Sequence, residues 1–153
     1  YYSKGDGLGS VLEKCDISMD STKGLPDLIV TDIHWLPAEP VEGDEILFSA
    51  TVKNIGNAPT PPGVIIGVGF LIKRENEAYY DIVNWSVNHN IALLPGYSVK
   101  LTANEGVTGS EKWRSAPGKY AVRAFVNDIN RIKELNRDNN TLTKDITIVS
   151  KNL

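Results

Sequence analysis

The segment Tyr79-Tyr-Asp-Ile-Val-Asn-Trp85 concentrates the residue types that bind sugars. An aromatic ring stacks on the apolar face of a pyranose, and neighbouring amides and carboxylates hydrogen-bond its hydroxyls. Here Tyr79, Tyr80 and Trp85 alternate with Asp81 and Asn84. Trp35 and Trp113 are the other large aromatics able to serve, Trp113 being followed by Arg114. If the segment is a regular strand, Tyr79, Asp81, Val83 and Trp85 share one face, while Tyr80, Ile82, Asn84 and Ser86 share the other. The competing reading is core packing, since a tryptophan between two sheets is a common anchor of immunoglobulin-like domains.

A second segment, Asp128 to Asn140, concentrates hard oxygen donors: Asp128, Asn130, Glu134, Asn136, Asp138, Asn139 and Asn140. Calcium takes six to eight such oxygens, so Asp128, Asn130, Glu134 and Asp138 are the metal-ligand candidates and a structural Ca2+ the cofactor they would take. The spacing is not that of an EF-hand. The alternative is turn chemistry, in which Asn and Asp cap turns and occupy left-handed positions while Ile132 and Leu135 pin the connection to the core.

Catalytic chemistry has little to work with. His34 and His89 are the two histidines, and neither accompanies a nucleophile-elbow or cysteine–histidine pattern. Cys15 is the single cysteine, which excludes an intramolecular disulfide and a thiolate metal cluster. Carboxylates are plentiful but fall mostly in expected turns, so the reading is non-catalytic.

The elements that must position these residues are β-strands. The chain has 153 residues, enough for one domain of ordinary size. Hydrophobic residues form 41% and charged residues 23%, values that fit a globular domain. Net charge is −3 with no basic stripe, which argues against nucleic-acid binding. No apolar run approaches the ~18 residues of a membrane span. The first residue is Tyr, which reads as a processed or excised fragment.

Character changes near Gly24-Leu-Pro26. Residues 1–24 are polar and read as a linker or the tail of a preceding domain, although Leu8, Val11, Leu12 and Cys15 have the spacing of two helical turns. From Pro26 onward the pattern is short strands between turn signals. Leu28–Ile33 is β-branched, and Ile46, Phe48, Ala50 and Val52 alternate with more polar neighbours. Asn54-Ile-Gly-Asn57 stops that strand through residues that tolerate positive φ. Val64–Lys73 is the most apolar run, and Gly67 and Gly69 within it suggest a bulge or a close backbone approach. A hairpin turn at Arg74–Glu77 returns through Tyr79 to Val87. Pro95-Gly96 and Pro117-Gly118 read as type II turns before Ser98–Ala103 and Tyr120–Val126, and Thr141–Val149 alternates again. Seven or eight strands so spaced predict an all-β, immunoglobulin-like or fibronectin-III-like antiparallel sandwich over residues 25–150. Tyr120 stands where a tyrosine corner belongs, its hydroxyl bonding back to the preceding loop.

Several of these segments together resemble one family. They are Pro26-Asp-Leu-Ile-Val-Thr-Asp-Ile33, Gly43-Asp-Glu-Ile-Leu-Phe-Ser-Ala-Thr-Val-Lys-Asn-Ile-Gly56, Leu94-Pro-Gly96, Tyr120-Ala-Val-Arg-Ala-Phe-Val-Asn-Asp128 and Asn130-Arg-Ile-Lys-Glu-Leu-Asn-Arg-Asp-Asn-Asn140. The set, spanning Leu25 to Val149, resembles the cell-adhesion-related domain of bacteria, CARDB. That resemblance implies a secreted or cell-surface, extracellular location in bacteria or archaea, often beside glycoside hydrolases or polysaccharide lyases, and no catalytic motif. The expectation is a non-catalytic accessory module contributing polysaccharide binding. The alternative is a structural spacer or protein–protein adhesion domain that contacts only neighbouring domains.

Overall fold

The computed structural model describes residues 24–151; the linker, the Leu8–Cys15 helical spacing and Cys15 lie outside the described residues. Eight strands and no helix are present among them. They are β1 (Leu28–Leu36), β2 (Leu47–Asn54), β3 (Val68–Arg74), β4 (Asp81–Ser86), β5 (Ser98–Thr102), β6 (Glu105–Gly106), β7 (Gly118–Val126) and β8 (Thr141–Ile148). One sheet has the order β1-β2-β5 and the other β6-β4-β3-β7-β8, with antiparallel strand pairs throughout. This is the all-β sandwich expected from the alternation, with immunoglobulin-like and fibronectin-III-like layering.

The core lies between the two sheets and follows from period two. Val30, Ile33, Phe48, Ala50 and Val52 point inward from the smaller sheet. Val68, Phe70, Ile72, Val122, Ala124 and Val126 meet them from the larger one. Phe48 and Phe70 stack across the interface with ring centroids 5.7 Å apart. Full burial of such a side chain is worth about 1.5–3 kcal/mol, so this central pair is a main contribution to cohesion.

The turn signals behave differently from one another. At Pro95-Gly96 the type II turn forms: Gly96 has φ of 83° and Tyr97 N donates to Leu94 O at 3.0 Å. At Asn54-Ile-Gly-Asn57 positive φ is not the reason for the stop. Gly56 is needed because the backbone of Leu25–Asp27 passes directly over it, leaving no room for a Cβ. The Asn54 side chain, fully buried, fixes that crossing: its Oδ1 accepts from Asp27 N at 3.1 Å and its Nδ2 donates to Ala58 O and Leu93 O, each at 2.9 Å.

Tyr120 makes the corner expected of it. Its hydroxyl donates to Ala116 O at 2.7 Å and meets Ser115 Oγ at 2.7 Å. The apolar run 64–73 is only half strand. Val64 to Gly67 is loop, with Ile66 buried and its N–H bonded to His89 O, and the ladder begins at Val68.

Candidate functional site

Two β-bulges shape the faces of the sandwich. One, between Val30 and Asp32, inserts Thr31 into β1. The other decides where the aromatic side chains go. On β4, Trp85 pairs with Gly69 and Asn84 with Phe70, but Ile82, not Val83, pairs with Leu71. Val83 is the extra residue, so the alternation reverses there. Trp85 and Ile82 therefore share the outer face of the larger sheet, where strict alternation puts them on opposite faces.

Tyr80 joins that face. The Arg123 guanidinium lies over its ring at 3.9 Å and the Lys73 ammonium at 5.7 Å. Arg123 itself pairs with Leu71 across β7 and β3, on the outward side. Tyr79 and Asp81 turn the other way, lining a separate shallow hollow with Glu77 and Ala78, and Tyr79 is 81% exposed.

The structure corrects one of the expected sugar contacts. Asn84 is buried, pairs with core residue Phe70, and its amide donates to Glu105 O and Ser110 O at 3.3 and 3.0 Å. It holds the short β6 edge and has no route to a ligand. Trp113 packs on the core, its ring 5.8 Å from that of Phe48 and edge-on to Tyr120 at 5.2 Å. Trp35 is likewise edge-on to Phe48, at 6.4 Å, with its indole N–H donated to Ala38 O. All three tryptophans are half-buried; Trp85 is the one not packed against the core, its Nε1 donating to Glu105 Oε1 at 3.0 Å.

The second candidate segment folds over the first. Among the described residues, the side chains of Asp128 and Arg131 lie against Gly67 and Gly69, in the space that a Cβ at those glycines would need. A Cβ on Gly69 would sit 2.7 Å from Asp128 Oδ2 and 3.0 Å from Ile82 Cδ1. The result is a cleft of about 210 Å³ lined by Ile82, Trp85, Val87, Asp128, Ile129 and Arg131. A flat indole, an aliphatic rim, a carboxylate and a guanidinium thus meet in one place. Arg131 is a contact the sequence reading missed, because nothing local distinguishes it from the other basic residues of the loop.

The expected metal ligands are divided by the same loop. Asn127 and Asn130 adopt left-handed φ of 56° and 58°, the turn chemistry weighed against calcium. Glu134 is a correction. Its side chain has no exposure; Oε1 accepts from Leu28 N at 2.7 Å, and Oε2 accepts from Asn127 Nδ2 at 2.6 Å and Asn140 Nδ2 at 2.8 Å. The carboxylate is occupied by protein N–H groups and faces away from Asp128. Asp128 Oδ1 accepts from Ile129 N, Asn136 Oδ1 caps Asp138 N at 2.8 Å, and Ile132 is buried. Leu135, expected to anchor the loop, is half-exposed and holds it only through its N–H to Pro26 O. Among the described residues no three His, Cys, Asp or Glu gather where they could hold a metal ion.

The CARDB family model matches residues 25–144, most of the chain. The chain belongs to the CARDB family. Solved CARDB domains share the fold. A crystal structure of the CARDB domain of a Pyrococcus furiosus protein, in complex with di-metal ions, superposes at a TM-score of 0.54 with 24% identity, covering 83% of this chain and 96% of that one. A solution structure of the same domain gives 0.52 with 26% identity, over 82% and 96% of the two chains. A solution structure of a domain of a protein named as a cell surface protein of Methanosarcina acetivorans gives 0.58 with 21% identity, over 82% and 93%. No curated protein sequence matches the chain. As a CARDB domain the chain is a non-catalytic, adhesion-related module. Among the described residues no helix is long and apolar enough to cross a membrane.

Proposed function

We propose that this CARDB domain is an accessory module of a secreted or cell-surface polysaccharide-active protein, and that it binds a polysaccharide on the outer face of its larger sheet. The observation that carries this reading is the cleft at Trp85. Gly69 behind the indole and the Asp128–Arg131 loop beside it create a half-open slot of the size of a sugar ring. An indole face gives the apolar contact, and Asp128 and Arg131 supply an acceptor and a donor for ring hydroxyls. The hydrogen bond from Trp85 to Glu105 fixes the ring in advance, which lowers the ordering cost of binding.

The test is affinity electrophoresis of the full chain through gels carrying a broad panel of polysaccharides. At least one polymer should retard the wild type, and Trp85→Ala should weaken that retardation about tenfold while leaving the melting temperature nearly unchanged. No retardation across the panel refutes the reading.

One observation favours the alternative of a spacer or adhesion domain that touches only its neighbours. Trp35 and Trp113 both pack against Phe48, and aromatics used for packing are what a module without glycan affinity predicts. Fluorescence quenching by iodide separates the two readings. A glycan that shields Trp85 should lower quenching in proportion to bound polymer, and a spacer should show no change.

A further inference from the structure

Building on the glycan reading, we propose that the polysaccharide is anionic, a polyuronate, and that Arg123 is its principal carboxylate contact. The Trp85 cleft does not end the outer face. A second cleft of about 350 Å³ opens further along the same sheet, lined by Lys73, Glu75, Lys119, Ala121, Asp145 and Thr147. The register puts both on one face: Gly69, Leu71 and Lys73 of β3 stand opposite Phe125, Arg123 and Ala121 of β7. From Gly69 to Glu75 the backbone advances roughly 20 Å at ~3.3 Å per residue, long enough for several sugar rings in line. Arg123, opposite Leu71, falls between the two clefts in this register, with Tyr80 beneath its guanidinium.

The charges along this track are distinctive. The chain is net negative, at −3. Yet Lys73, Lys119, Arg123 and Arg131 all lie on this face, and none forms an ion pair among the described residues. The ion pairs of the domain lie elsewhere, at Asp32, Glu45 and Glu134. Arg123 stands at the centre, its Cζ 3.9 Å from the centroid of the Tyr80 ring, and its buried Nε has no hydrogen-bond partner. A guanidinium stacked on a ring directs its N–H donors sideways in its own plane, the geometry that receives a carboxylate in two parallel bonds. Glu75, Asp145 and Asp128 share the face, and carboxylates there accept hydrogen bonds from hydroxyls. A polymer carrying both hydroxyls and carboxylates satisfies both sets of groups, and a neutral glycan offers the cations no opposite charge.

The experiment compares polymers that differ in charge alone. The full chain is run through gels carrying polygalacturonate or alginate, and through gels carrying the carboxyl-reduced form of each. The wild type should bind one acidic polymer at least about fivefold more tightly than its reduced counterpart, and added salt should erode the difference. Arg123→Gln should remove most of it, about threefold to tenfold, and Arg123→Lys should recover part, since the charge remains but the planar fork is lost. Lys119→Gln, at an exposed position, is the companion variant if Arg123→Gln melts early, and should cost about twofold to threefold. Equal retardation by acidic and reduced polymers, with sensitivity to Trp85→Ala intact, overturns the anionic assignment and leaves the glycan reading standing. Absence of retardation by every polymer overturns both.

Discussion

Replacing Glu134 by Gln should cost this domain a large part of its stability. The substitution keeps volume and shape, so the cost is electrostatic. The carboxylate accepts from Leu28 N at 2.7 Å, Asn127 Nδ2 at 2.6 Å and Asn140 Nδ2 at 2.8 Å. A glutamine oxygen in the Oε1 position can keep the bond from Leu28 and the longer 3.1 Å contact from Asn140 Nδ2. Its new NH2 group then faces the Asn127 and Asn140 amides, donor against donor. Asn140 cannot resolve this by turning over, because its oxygen would then face the Leu28 carbonyl that its Nδ2 now serves at 3.1 Å. Two charge-assisted bonds, each worth about 1.5–3 kcal/mol, are lost in a buried site. The expected loss is about 3–5 kcal/mol, against a total stability of roughly 5–15 kcal/mol for a domain. At roughly 3–5 °C per kcal/mol for this size, calorimetry should show a melting temperature lower by about 10–20 °C. Arg137 provides the internal control. It is 3.7 Å from Glu134, 35% exposed, and also donates to Asn127 O, so Arg137→Ala should cost about 1–2 kcal/mol. A Glu134→Gln loss below about 1 kcal/mol, or one smaller than that of Arg137→Ala, would refute the account of a carboxylate held by N–H donors.

Three further outcomes follow from the geometry. Tyr120→Phe removes both hydroxyl contacts at the corner, and urea unfolding should show a loss of about 1–2 kcal/mol with glycan retardation unchanged. Gly69→Ala forces Asp128 away from the sheet, since the new Cβ would sit 2.7 Å from Oδ2; retardation should fall several-fold while stability drops by about 1 kcal/mol in the same urea assay. Asp32 has its pKa lowered, first by the hydrogen bond from Lys144 and then by that from Ile33 N. A depressed folded-state pKa stabilises the fold above the unfolded carboxylate range, and the effect disappears as pH falls through the folded value. Thermal melts should therefore show Lys144→Gln slightly less stable than wild type near neutrality, and the gap should close in acid. A gap that widens in acid would contradict the assignment.

The sandwich was legible because a half-buried sheet imposes period two on its sequence. Phe48, Ala50 and Val52, then Tyr120, Val122, Ala124 and Val126, fall inward as their alternation requires. Where reading and structure part, the determinant lies outside the segment. Leu28–Ile33 continues as strand to Leu36 because Trp35 finds Phe48 as a partner on β2. Val64–Gly67 is apolar enough for a strand, but it runs as loop against residues 89–90, where Gly63 N and Ile66 N find their acceptors. The two-residue β6 exists only because Glu105 and Gly106 come to lie beside Trp85 and Asn84. No local pattern announces a partner that far along the chain.

The site was half legible for a related reason. Residue type says which chemistry a side chain can do, and register says where it is delivered. One inserted residue, Val83, changes no composition and breaks no run of β-formers, yet it moves Ile82 onto the face of Trp85 and leaves Asn84 on the opposite one. The same holds for Glu134. As a carboxylate among asparagines it reads equally as a cation ligand or as a hub for N–H groups. What decides is Leu28 N, 106 residues away in sequence, which the fold brings to 2.7 Å. Both candidate segments were visible, but their relation was not. The Asp128–Arg131 loop reaches the Trp85 indole because Gly67 and Gly69 leave the sheet bare beneath it. Those glycines are thus the part of the binding face written in the sequence as missing side chains.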